Sequence, residues 1–116
     1  MKVELQWEGD SRFVLVCAGD LGWDANDILI KKASEAFARR GGLQMVLDLE
    51  DVDCVTSAGI GVLLQLRSQA AEQDGSIMII CPSPAIRQLF KTVGLDRHIP
   101  VFHDWSAFRD LVGEAG

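Results

Sequence analysis

The residues of this chain best suited to chemistry lie between Asp51 and Gly61. Ser57 stands there between an apolar, strand-like run at 43–49 and a helix-like run at 62–73. At a strand-to-helix turn, unpaired backbone N–H groups and the positive end of the helix dipole converge. A phosphate on the Ser57 hydroxyl would meet those donors. The alternative is a helix cap supplied by Thr56 or Ser57, the commonest task of such residues there. Thr56 is also a second possible acceptor.

Other reactive groupings are thin. Val55 stands two residues before Ser57, so the glycine of a G-x-S-x-G nucleophile elbow is missing. His98 and His103 have no nearby acid patterned for a triad, and no catalytic residue is expected. Gly59-Ile60-Gly61 is followed by Val62-Leu63-Leu64, which is not G-x-G-x-x-G, and a P-loop lysine is absent. Glycine inside a helix costs roughly 1 kcal/mol against alanine, so two in one turn suggest close approach of neighbouring backbone. Asp48, Glu50, Asp51 and Asp53 invite a metal or phospho-aspartate reading, as in response-regulator receivers. That design wants a lysine after the fifth strand, and none follows Lys91. A solvated acidic turn is expected instead, with neither metal nor cofactor. Cys17, Cys54 and Cys81 are odd in number and widely spaced, against a zinc site or disulfide framework. Cys17 and Cys81 fall in apolar runs and read as core.

The elements that must position Ser57 belong to one domain spanning residues 1–116. A 48% hydrophobic content supplies a core and argues against disorder. Apolar runs are too short for a membrane span. Met1-Lys2-Val3-Glu4-Leu5 lacks the apolar segment of a signal peptide, so a cytoplasmic location is expected. The net charge of −6, from 17 acidic and 11 basic residues, disfavours nucleic acid and favours a basic partner surface.

Residues 3–8 alternate as a half-buried strand, Gly9-Asp10 turns the chain, and 12–18 form a second strand in a hairpin. Residues 19–23 read as a loop and 24–40 as a helix facing inward through Ile30, Ala33 and Phe37. The strand at 43–49 is central. The next helix stops near Asp74-Gly75 and is expected to turn Ile60, Leu63, Leu64 and Ala71 to the sheet, with Val62 and Leu66 flanking. A fourth strand follows at 76–81. Ser83-Pro84 opens a third helix with the face Ile86, Leu89, Phe90 and Val93. A short strand at 99–103 and a helix capped by Asp104 complete the order β-β-α-β-α-β-α-β-α. This is an α/β fold: a mixed sheet of four to five strands, parallel in its core with an antiparallel N-terminal hairpin, covered by about four helices.

From about Leu5 to Leu111 the chain resembles the STAS domain of bacterial anti-sigma factor antagonists. Four stretches carry the likeness: Gly19-Asp20-Leu21; Val46-Leu47-Asp48-Leu49 with Val52; residues 57–64 from Ser57 through Gly59 and Gly61 to Leu64; and residues 83–90 followed by Val93-Gly94-Leu95. The resemblance implies partner switching. The unphosphorylated antagonist binds an anti-sigma factor, which is also a serine kinase of the histidine-kinase-like ATPase type, and the sigma factor is released. Phosphorylation of the serine matching Ser57 separates the pair, and a serine phosphatase restores the antagonist. The implied partner-binding residues are Asp20, Leu21, Gly22, Asp24, Asp53, Thr56, Ser57, Ala58, Gly59 and Ile60. The protein is expected to be a monomer or weak dimer. The chain departs from the family at Thr56, where an aspartate is usual, and at Gly22, where aspartate or asparagine is frequent. Those departures motivate the alternative of a non-switching STAS subunit in a stress-signalling scaffold or a lipid-transport ATPase complex. An enzyme is the third and weakest reading.

Overall fold

Alternation at the N-terminus produces an edge strand. In the computed structural model, which describes residues 1–112, β1 (Lys2–Glu8) turns Val3, Leu5 and Trp7 inward and exposes Lys2, Glu4 and Gln6. Gly9, at φ +66°, turns the chain into β2 (Arg12–Leu21), which pairs antiparallel with Leu15 opposite Leu5. A 3-10 turn (Trp23–Ala25) leads into α1 (Asn26–Phe37), β3 (Gln44–Val55), α2 (Ser57–Glu72), β4 (Ser76–Ile80) and α3 (Pro84–Thr92). A second 3-10 turn (Leu95–Arg97), β5 (Val101–Phe102) and α4 (Trp105–Val112) follow.

The sheet order β1-β2-β3-β4-β5 repeats the chain order, with every pair after the hairpin parallel. Successive right-handed crossovers stepping one way place their helices on one face. The core follows: Phe13, Leu15, Leu47 and Ile79 of the sheet pack with Leu29 and Phe37 of α1, Leu63 and Leu66 of α2, and Phe90 of α3. On the other face Val14, Val46, Met78 and Ile80 pack under Phe108 and Trp105 of α4. Because the strand order never reverses, the fold has none of the crevice in which doubly wound sheets bind nucleotides.

Several boundaries differ from the sequence reading. Residues 19–21 extend β2 rather than forming a loop, and β3 continues to Val55, so no acidic turn exists. Helix α1 ends at Phe37, and the two arginines after it serve the hairpin. The Arg39 guanidinium lies 4.8 Å from the Trp7 ring centre, and Arg40 donates to the Asp10 carbonyl at 3.1 Å. The inward face of α2 is Gly59, Val62, Leu63, Leu66 and Ala70, whereas Leu64 and Ala71 are exposed. Val93 is exposed too. Both expected caps form: Ile86 N donates to Ser83 Oγ at 3.3 Å, and Ala107 N to Asp104 Oδ1 at 2.7 Å.

Candidate functional site

The site begins with a mismatch between two strands. β3 sets twelve residues against the ten of β2, and register shifts at Val16/Ala18 and Gly19/Asp20 absorb the difference. Such bulges re-aim side chains. After Leu49 the inward residues fall at every third position, Leu49, Val52 and Val55, leaving Glu50, Asp51, Asp53 and Cys54 exposed. Asp48 alone of the acidic group is buried. Its Oδ1 accepts from Glu50 N at 3.0 Å and its Oδ2 from Trp105 Nε1 at 3.1 Å, which ties β3 to α4. The Asp48 charge, with partial burial and the charges of Asp51 and Asp104 behind it, holds the Glu50 carboxyl above the usual carboxylate range. No cluster of metal-ligating side chains forms among the described residues.

The paired ends of β2 and β3 carry the start of α2. Thr56 N donates to the Leu21 carbonyl at 3.0 Å, and Thr56 Oγ1 accepts from Gly59 N at 3.2 Å. Thr56 is therefore the helix cap and Ser57 the first helical residue. The exposed Ser57 hydroxyl has no hydrogen-bond partner among the described residues. No acidic residue occupies the first turn of α2, so the helix supplies no carboxylate of its own to its positive end.

Two glycines make this geometry possible. A Cβ on Gly59 would lie 2.2 Å from the Leu21 carbonyl oxygen, so the helix start rests directly on the end of β2. The close approach expected of Gly59-Ile60-Gly61 thus belongs to Gly59; a Cβ on Gly61 would meet nothing within 4 Å. A Cβ on Gly22 would stand 3.3 Å from Thr56 Oγ1 and 3.6 Å from Asp24 Oδ1. The two departures noted in the sequence, Gly22 and Thr56, are thus in contact with one another.

The structure brings the sequence-derived surface residues to one end of the sheet. Asp20 pairs with Cys54 and Leu21 with Val55, Gly22 meets Thr56, and Asp24 follows in the 3-10 turn. Asp20, Asp24, Asp53, Thr56, Ser57 and Ala58 are exposed, and Ile60 is half-buried. Leu21, Gly22 and Gly59 are buried and set the positions of the others. Sequence reading left Trp23, which is 72% exposed beside Gly22, in a loop, and turned Leu64, 40% exposed on α2, toward the sheet. A tryptophan in an acidic Gly-Trp-Asp segment with no apolar period around it was the available signal. Ala58, Gly61 and Leu64 of α2 are exposed, as are Trp23 and the three aspartates Asp20, Asp24 and Asp53 at this end of the sheet. His98 and His103 follow the second 3-10 turn and β5, and β5 is two strands from β3.

Comparison with known proteins agrees with this architecture. The family model described as STAS domain matches residues 9–107, and the chain belongs to that family. It is 27% identical over 104 residues to an anti-sigma F factor antagonist of Paenibacillus polymyxa, covering 88% of each chain. It shares the fold of the anti-sigma factor antagonist SpoIIAA in its unphosphorylated form, with a TM-score of 0.75 and 21% identity over 99% of this chain and 100% of that one. For the phosphorylated form of the Bacillus cell fate determinant SpoIIAA the TM-score is 0.67 at 21% identity, covering 95% and 99%. No described helix is long and apolar enough to cross a membrane.

Proposed function

We propose that this protein is an anti-sigma factor antagonist that acts by partner switching at Ser57. In its unphosphorylated form the Ser57 end of the sheet docks on an anti-sigma factor that is also a serine kinase of the histidine-kinase-like ATPase type, and the sigma factor is released. Phosphorylation of Ser57 ends the complex, and a serine phosphatase reverses the modification. The single observation that carries this reading is the Ser57 hydroxyl. It is exposed at the first position of α2 and spared from capping because Thr56 does that work. The relatives named above support it, one solved both with and without phosphate.

The physical effect of phosphate falls on docking and leaves folding intact. Phosphate adds about −1.5 to −2 charges. Within the protein it meets the positive helix end and the N–H groups of the first turn, which favour an anion and offset the nearby Asp20, Asp24 and Asp53. In the complex it lands among Ala58, Gly61 and Trp23, where a bulky hydrated dianion must be desolvated without a built partner. A loss of roughly 3 kcal/mol weakens binding more than a hundredfold.

Affinity capture from the native cell tests the reading. Wild type and Ser57→Ala should retain an ATP-binding kinase, and addition of ATP should release wild type but not Ser57→Ala. Ser57→Asp should capture little. A complex indifferent to ATP and equal for all three proteins would instead support a non-switching STAS subunit, the reading that the Gly22–Thr56 pair favours.

A further inference from the structure

The outer face of α3 and the last strand of the sheet enclose a groove of about 470 Å³ that the Ser57 surface does not use. Arg87, Gln88 and Lys91 of α3 form one wall, Val101 and His103 the other, and Asp96 is the single carboxylate on the rim. Neither Arg87 nor Lys91 forms an ion pair among the described residues. Arg87 is nonetheless fixed, since its Nη1 donates to the carbonyls of Cys81 at 3.1 Å and Pro82 at 2.8 Å. On a chain of net charge −6 the two cations of α3 outnumber the one lining carboxylate, while Asp104 stands 3.4 Å from His103 Nε2 behind the far wall.

The second wall is an open strand edge. β5 ends the sheet. The carbonyls of Pro100 and Phe102 accept from Ile79 N of β4 and from Cys81 N just after it. Alternate residues of a parallel strand face opposite neighbours, so the backbone groups of Val101 point away from β4, at the wall of the groove that Val101 and His103 line. An open edge beside a side-chain pocket is the arrangement that accepts an added strand.

We propose that this groove receives an extended acidic segment of a partner protein, which adds to β5 as a sixth strand and sets alternate carboxylates against Arg87 and Lys91. Charge selects that occupant. A second copy pairing through the same edge would bring Arg87 and Lys91 against themselves, which like-charge repulsion opposes. Backbone pairing fixes the register and the cations choose the side chains. The site is independent of Ser57.

The test is a titration of the full, isotopically labelled chain with a synthetic peptide of alternating Glu and Val, followed by amide NMR and hydrogen exchange. Saturable shifts are expected at Val101 and His103, with slowed exchange of the same amides. Lys91→Glu, an exposed change that breaks no hydrogen bond of the fold, should weaken binding at least tenfold, and Arg87→Glu similarly. Ser57→Ala should bind as wild type. A Lys-Val peptide of equal length should not bind. Equal binding of both peptides would overturn the proposal, as would shifts confined to α3 with β5 amides unmoved, or no saturable shift at all.

Discussion

Gly59 and Gly61 stand two residues apart in one helical turn, yet alanine at each should change stability in opposite directions. Alanine is favoured over glycine in a helix interior by roughly 1 kcal/mol. At Gly61 nothing opposes that gain, because the added Cβ meets no atom within 4 Å. At Gly59 the Cβ would stand 2.2 Å from the Leu21 carbonyl oxygen and 2.9 Å from its carbon. Both are backbone atoms of a strand end held by pairing with Val55, so neither can swing aside. Overpacking of this kind costs about 1–3 kcal/mol, and a backbone obstacle belongs at the upper end. Set against the propensity gain, Gly59→Ala should lose about 2 kcal/mol net. At about 4 °C per kcal/mol for a chain of this size, Gly59→Ala should melt about 8 °C lower and Gly61→Ala about 4 °C higher than wild type. Thermal unfolding followed by circular dichroism, with urea titrations beside it, reads both. A Gly59→Ala protein as stable as wild type would refute the claim that α2 is seated on the Leu21 carbonyl.

Three further outcomes follow from the site's surroundings. Trp105→Phe removes the donor to Asp48 Oδ2 and should cost about 2 kcal/mol in urea unfolding, as for hydrogen bonds to charged groups; an unchanged midpoint would mean that α4 is held by packing alone. The raised Glu50 pKa means that the native state keeps this proton to higher pH than the unfolded chain does. Stability contributed by protonated Glu50 is therefore lost as pH rises from the unfolded carboxylate range through the native value. Glu50→Gln should flatten that slope and stabilise the protein at neutral pH by less than about 1 kcal/mol, the side chain being exposed; an identical pH profile would contradict the assignment. In thiol labelling at pH 8, exposed Cys54 should react first. Cys17 should stay silent until unfolding, its thiol pushed up to about 12 by burial and secondarily by Asp48, as should Cys81, raised chiefly by burial. Rapid loss of Cys17 would mean that the sheet opens.

The sequence was most legible where one local rule acted alone. Ser83 before Pro84, Asp104 before Trp105 and the alternation of Val3, Leu5 and Trp7 each define an element without outside help. Ser57 was legible for the same reason, as a serine set between an apolar strand-like run and a helix-like run. The second half of β3 was not, because two bulges replace the two-residue period with a three-residue one, and Asp51-Val52-Asp53 then imitates a turn. The face of α2 was ambiguous for a different cause. Ile60, Val62, Leu63, Leu64 and Leu66 leave the helix apolar nearly all round, so periodicity permits two orientations. The contact between Gly59 and the Leu21 backbone selects one, and that contact joins residues thirty-eight apart in the chain, beyond any local pattern. The same long-range pairing explains why Gly22 and Thr56 looked like separate departures and prove to be neighbours.

The central claim is that Ser57 is an accessible switch whose modification changes docking and spares the fold. Mapping phosphate by tandem mass spectrometry, after incubation with ATP and the kinase captured from the native cell, tests it most directly. Phosphate is expected on Ser57, with an unfolding midpoint within a few degrees of the unmodified protein and loss of the captured kinase. Phosphate on neither Ser57 nor Thr56, or a Ser57-phosphorylated protein that still holds its partner, would contradict it.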